Sequence, residues 1–260
     1  PLNRKAMYAE VELFLHDILG GRYQAEMAED VQSTLDGLRV DISKVTYTPK
    51  TDIKVMEELP MSKANPKEGT YEYDVLIAVQ GQTIPMQMTR TISKENGNWV
   101  IKEESKGPMG EMSEELKCTS MFSPISRTVK QMGQEIPVMF EGNKASLNVM
   151  NQKMEILFDG AYMADGPGTD ILIGGYDLKP GYTLSYSVPD MMTMKPKKVI
   201  LTVKDSEALN GINYTRVDVV GHENENDKVS YWINPSTGMA DRIVQVMPAM
   251  MNAVMTMTKK

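Results

Sequence analysis

Cysteine is nearly absent from this sequence: Cys118 stands alone among 260 residues, which excludes an intrachain disulfide framework. Histidine is almost as scarce. His16 and His222 lie far apart in the chain, too few for the three- or four-ligand array that zinc needs. No run approaches the roughly eighteen apolar residues of a membrane-crossing helix. Basic residues number 28 against 35 acidic, for a net charge of −7. The basic ones are scattered apart from 195–198 and the pair Lys259 and Lys260, and this argues against a nucleic-acid surface. The nucleophile elbow G-x-S-x-G is missing, and neither histidine has a serine and an acid arranged around it, so no hydrolase triad is expected. Signal-peptide patterning is also missing, and the chain opens on Pro1 rather than Met, as a processed or fragmentary product does.

Methionine, by contrast, is abundant, with 23 residues spread along the chain. The simplest expectation is that Met stands in for Leu in an ordinary core. A hydrophobic content of 41% is enough to build one.

Periodicity divides the chain. Over 3–19, Met7, Val11, Phe14, Leu15 and Ile18 fall on one helical stripe, and Gly20 and Gly21 stop it. A second helix is predicted over 26–37, with Met27, Val31, Leu35 and Leu38 on one side. Residues 46–68, with Pro49, Pro60 and Pro66, read as a linker or an extended edge segment. From residue 69 the period changes from 3.6 to 2. Tyr71, Tyr73, Val75, Ile77 and Val79 alternate with mostly polar neighbours, and Asn96 and Gly97 mark a hairpin. Further strands are predicted at 83–93, 98–105, 116–122, 125–132, 136–141, 144–150 and 153–158. A Gly- and Asp-rich stretch, 159–170, reads as a surface loop or the cap of a barrel mouth. Beyond it come strands at 181–188, 197–204, 213–221, 228–234 and 241–247, while 248–258 fits either a last strand or a short helix. The meander at 69–105 resembles that at 213–247 in strand length and turn chemistry. No βαβ alternation follows residue 45. The fold class expected is mainly β, an antiparallel half-barrel or sandwich over 69–258 preceded by an N-terminal helical segment.

Two resemblances add expectations. Pro1, Asn3, Arg4, Tyr8, Glu12, Phe14, Leu15 and the run Leu19, Gly20, Gly21, Arg22, Tyr23, Gln24 resemble the last helix of the catalytic domain in the prolyl oligopeptidase family of serine peptidases. Leu35, Leu38, Val40, Asp41 and Val45 extend the likeness, which covers residues 1–45. It implies that this chain is the non-catalytic C-terminal part of a longer peptidase, with the missing peptidase domain as its partner. The run Gly175 to Tyr182 and the later Tyr231, Trp232, Ile233, Asn234 and Gly238 are similar to lipoprotein-carrier-like domains of the LolA type, in motif over 175–245 and in architecture over 69–247. That resemblance implies an antiparallel half-barrel around an apolar cavity, an apolar small molecule or lipid as ligand, and a periplasmic or secreted location.

Candidate site residues follow from both readings. Met86, Met88, Trp99, Tyr186, Tyr231 and Trp232 are the strand residues expected to line a cavity, or else to fill a core without a void. Asp159, Asp165 and Asp170 lack the regular spacing of a calcium loop. No metal or cofactor is expected. Glu223, Glu225 and Asp227 read as a solvated hairpin tip.

Overall fold

A computed structural model describes residues 2–20, 26–38, 52–107, 110–131, 133–149 and 152–260. The chain divides into two compact units, residues 1–51 and 52–260. In the first, α1 (Leu2–Leu19) lies against α2 (Glu29–Leu38). Gly20, at φ 69°, closes α1 in the left-handed conformation, and its N–H donates to the His16 carbonyl at 2.8 Å. Glu29 and Asp30 place negative charge on the first turn of α2, where the helix dipole favours it. Ala6 and Leu35 are buried, but the stripe predicted for α1 is uncovered: Phe14 is 63% exposed and Ile18 67%. Gly21, Arg22, Tyr23, Gln24, Val40, Asp41 and Val45, which carry part of the peptidase resemblance, lie outside the described residues.

The second unit is one antiparallel sheet of fourteen strands curled into a nearly closed barrel. The strands are β1 (Gly69–Val79), β2 (Gln82–Glu95), β3 (Asn98–Gly107), β4 (Gly110–Cys118), β5 (Pro124–Gln131), β6 (Gln134–Glu141), β7 (Lys144–Val149) and β8 (Gln152–Leu157). After α3 (Thr169–Gly174) come β9 (Thr183–Asp190), β10 (Lys195–Leu209), β11 (Ile212–Gly221), β12 (Lys228–Asn234), β13 (Met239–Met247) and β14 (Ala253–Lys259). Two meanders, β1 to β8 and β9 to β14, join where β1 pairs with β14, Val75 opposite Met257. A single sheet therefore replaces the sandwich alternative. Alternation sets its two faces, with Tyr73, Val75 and Ile77 inside. At the hairpin of β2 and β3, Asn96 and Gly97 both have positive φ, 51° and 82°, matching the twist of the flanking strands.

The structure departs from the pattern-based expectation at three places and decides a fourth that was left open. β4 occupies Gly110–Cys118 rather than 116–122, and Phe122, at φ 64°, already belongs to the turn into β5. Residues 248–258 resolve into a short turn of 3-10 helix, Pro248–Met250, followed by β14. The stretch 159–170 is largely interior: Ala161, Met163, Ala164 and Asp170 are buried. Methionines are divided rather than confined to the core. Met88, Met163, Met239 and Met257 are buried, whereas Met61, Met121, Met192 and Met251 stand exposed.

The barrel's seam lies between β8 and β9, and loops close it. Met163 N–H donates to the Ser187 carbonyl (3.0 Å), and Ser187 N–H to that of Ala161 (2.9 Å). The extended strap 52–68, the described part of the expected linker, packs there as well. Its Met56 N–H donates to the Ser185 carbonyl at 3.0 Å, and Val55 is buried. The free edge of β9 is thereby paired, which removes a template for aggregation.

Candidate functional site

Inside the barrel sits α3, six residues of which Thr169, Asp170, Ile171, Leu172 and Ile173 are buried. Glycines admit it. A Cβ on Gly168 would strike Ile101, and one on Gly174 would strike the Gly238 carbonyl. A buried charge network fixes its start. Asp170 Oδ2 accepts from Arg90 Nη1 at 3.0 Å and from the Ala240 N–H at 2.9 Å. Arg90 Nε also donates to Glu103 Oε1 at 2.8 Å, and its guanidinium lies over the Tyr73 ring at 5.1 Å. These facing charges hold the Arg90 guanidinium protonated, even though burial works against it. The strap crosses the other end. Ser62 Oγ donates to the Leu172 carbonyl at 3.0 Å, and the Lys63 N–H to that of Gly175 at 2.8 Å.

Between strap and helix lies a partly open cleft of about 630 Å³. Leu172 and Tyr176 form one wall, Phe122 and Pro124 a second, and Tyr162 and Met163 a third. Two of these aromatics are fixed from behind. Phe122 stacks on Trp99 with centroids 5.8 Å apart, and Tyr162 stacks on Phe158 at 4.2 Å. The Tyr162 hydroxyl donates to the Gly142 carbonyl at 3.0 Å. Arg127, paired with the Glu114 carboxylate, donates through Nη1 to the Ala164 carbonyl at 3.1 Å and anchors the third wall. Burial pushes the Glu114 carboxyl above its usual range, although Arg127 opposes the shift. The hydroxyl of Tyr176 is buried without a hydrogen-bond partner among the described residues, and burial pushes its pKa up. Among the described residues the lining includes Glu57 and Glu58 at the rim and no Lys, Arg or His.

The six residues expected to line a cavity do not gather around this one. Met88 and Trp99 are packed in the core, and Met86 covers Gly107. Tyr186 and Tyr231 border a separate void of only about 30 Å³ with Asp165 and Lys197. Trp232 is outside the core cluster, stacked between the guanidinium groups of Arg216 (5.2 Å) and Arg242 (5.0 Å), with its indole N–H donating to Glu207 Oε2. Adjacent residues on a strand face opposite sides, so Tyr231 and Trp232 could not have shared a cavity. Most residues that form the cleft come from loops and turns, with Leu172 supplied by α3, and the signal for that helix was the short apolar run 171–173 set between Gly168 and the pair Gly174, Gly175.

Asp159, Asp165 and Asp170 are dispersed: Asp170 is committed to Arg90, and Asp159 lies 3.9 Å from Lys198. Asp227 of the expected hairpin tip pairs with Lys197 at 2.9 Å. Among the described residues no cluster of metal-binding side chains occurs, and no helix is long and apolar enough to cross a membrane.

No family model and no curated protein matches the sequence, its first 45 residues included. Solved structures do match. A β-barrel-like protein of a domain of unknown function, DUF1849, from Brucella abortus superposes with a TM-score of 0.52 at 7% identity. The match covers 76% of this chain and 97% of that one, and it shows a shared β-barrel-like fold. A DUF1329 family protein from Desulfovibrio piger covers 75% of this chain and 84% of its own at 8% identity, but its TM-score of 0.28 carries no argument. A LolA-like barrel is compatible with this architecture.

Proposed function

We propose that the barrel unit is a binding module which holds an apolar small molecule, such as a lipid or acyl chain, in the cleft above α3. One observation carries this reading: a cleft of about 630 Å³ with apolar and aromatic walls, within the size range of small-molecule sites. Two of the walls are built before any ligand arrives, since Phe122 and Tyr162 are each stacked from behind. The role is retention rather than turnover, and peptide hydrolysis by this chain is expected to be nil. Organic extraction of the purified protein followed by mass spectrometry tests for a resident ligand. Ser123→Trp tests the location, because Ser123 sits exposed at the cleft wall and an indole there fills the space. Loss of apolar-probe binding in Ser123→Trp is the expected result. Equal binding by variant and wild type overturns the assignment.

A second role is favoured by α1. Its exposed Phe14, Leu15 and Ile18 form an apolar stripe, and a helix of this kind gains most of its stability from covering such a face. In this reading the stripe docks on a protein surface, and the peptidase resemblance makes a hydrolase domain the candidate. The coding sequence upstream of Pro1 decides it: a reading frame without G-x-S-x-G and a following histidine removes that candidate.

A further inference from the structure

We propose that the cleft carries a redox switch: Met61 and Met121, at its mouth, are sites of oxidation to methionine sulfoxide, and the modified cleft releases its apolar occupant. This rests on the binding reading above and adds its regulation. The first observation is placement. Among the described residues three methionines border the cleft: Met61 from the strap, Met121 from the turn between β4 and β5, and Met163 from the loop that closes the seam. Their accessibility differs. Met61 is 72% exposed and Met121 50%, whereas Met163 is 1% exposed. An oxidant dissolved in water therefore reaches the two outer thioethers and not the inner one.

The second observation is the state of the one thiol. Cys118 is fully buried, and burial pushes its thiol up to about 12, so at neutral pH it presents almost no thiolate. Oxidation by a peroxide thus falls on exposed thioethers. The sulfur of Met61 or Met121 attacks one oxygen of hydrogen peroxide and the O–O bond breaks. That oxygen stays on sulfur, and the other leaves as water with both hydrogens; sulfur gives up two electrons and the peroxide takes them. A polar sulfoxide then stands where the lining was apolar and continuous with Leu116, Pro124 and Leu172. Its oxygen is hydrated, and an apolar chain laid against it strips that water, which costs affinity. Met192, 82% exposed, and Met251, 64%, also meet the oxidant but do not line the cleft, so their sulfoxides leave binding unaltered. Sulfoxide reductases, one for each epimer, return the thioether and make the switch reversible.

Mild hydrogen peroxide treatment, peptide mapping by mass spectrometry and titration with Nile red, a neutral apolar dye, test the proposal. The cleft's share of the dye signal is the part that Ser123→Trp loses. Met61 and Met121 are expected to oxidise well ahead of Met163, and affinity is expected to fall about tenfold as they do. The double substitution Met61→Leu, Met121→Leu, whatever its starting affinity, is expected to keep it through the same treatment. Met192→Leu, Met251→Leu is expected to lose affinity as wild type does. Met61→Gln, Met121→Gln, a polar stand-in for the sulfoxides, is expected to bind about tenfold less tightly than the leucine pair without any peroxide. This variant keeps the test decisive if peroxide also lowers the thermal unfolding midpoint. Treating oxidised wild type with the two sulfoxide reductases is expected to restore binding. Unchanged affinity with both sulfoxides in place, or an equal loss in Met61→Leu, Met121→Leu, overturns the switch and leaves the binding module standing. If untreated wild type and Ser123→Trp take up the dye alike, the binding module fails and the switch with it.

Discussion

Arg90 and Asp170 meet inside the barrel, Nη1 to Oδ2 at 3.0 Å, with 2% and 1% of their side chains exposed. The pair links β2, in the first meander, to α3. Through the Ala240 N–H, the same carboxylate oxygen also holds β13, in the second. The wall of the cleft is therefore positioned by both halves of the sheet.

Removing one member of this pair leaves a buried charge short of its counter-ion. Asp170→Ala is expected to cost about 3–5 kcal/mol, since the Glu103 carboxylate still pairs with Arg90 but does not replace the lost contact. The double substitution Arg90→Met, Asp170→Leu is expected to cost less than the sum of the single losses. Urea unfolding of Asp170→Ala, Arg90→Met, Asp170→Leu and the double substitution measures both; strict additivity of the two singles would mean that the two side chains are not coupled.

Backbone contact at α3 gives a second test. A Cβ on Gly174 would run into the Gly238 carbonyl, whereas one on Gly37, in α2, meets nothing within 4 Å. Gly174→Ala is expected to destabilise by about 1–3 kcal/mol. Gly37→Ala is expected to be neutral or stabilising by up to about 1 kcal/mol, because alanine restricts the unfolded chain. Thermal unfolding compares the two directly.

Cys118 is fully buried, and burial alone pushes its thiol up to about 12. At pH 8 the native protein holds almost no thiolate, so an aromatic disulfide reagent should react only as the chain unfolds. Rapid labelling of the native protein at that pH would contradict this placement.

Two buried carboxylates should titrate in opposite senses. For Asp218, burial would raise the pKa, but Lys228 at 2.8 Å and the Ser230 hydroxyl at 2.7 Å outweigh it, and the net shift is downward. Its contribution is present above the ordinary aspartate range and is lost as pH falls through the lowered pKa. For Glu114 burial wins, and the pKa is raised. Its ionised form is the costly one, so stability is gained as pH falls through the raised value. Asp218→Asn should therefore cost most at neutral pH and least in acid, and Glu114→Gln the reverse. Denaturation midpoints followed from pH 7 to pH 3 read the two slopes.

Much of the barrel was legible residue by residue. Tyr73, Val75 and Ile77 alternate because a half-buried strand requires it, and Asn96 with Gly97 marks the turn because both positions need positive φ. β4 was misplaced because 110–115, Gly-Glu-Met-Ser-Glu-Glu, shows no apolar alternation; those residues are exposed or half-buried. The helix α3 escaped because it is short and buried on every side, so no amphipathic period exists to detect.

The cleft was harder to read. Phe122, Tyr162 and Tyr176 occur in turns and connecting segments, where no periodicity tells which side chains converge. Trp232 looked like a cavity residue by type, but the outer face of the sheet holds it between two arginines.

Local chemistry, then, determined the strands, the hairpins and the change of period at residue 69, because each depends on neighbours a few positions away. Only the tertiary structure decided that the two meanders join through β1 and β14, that α3 enters the barrel on the Arg90 and Asp170 contact, and that the strap closes an apolar cleft over that helix. Those features bring together residues as distant as Glu57 and Tyr176, and their energies exist only once the sheet has curled.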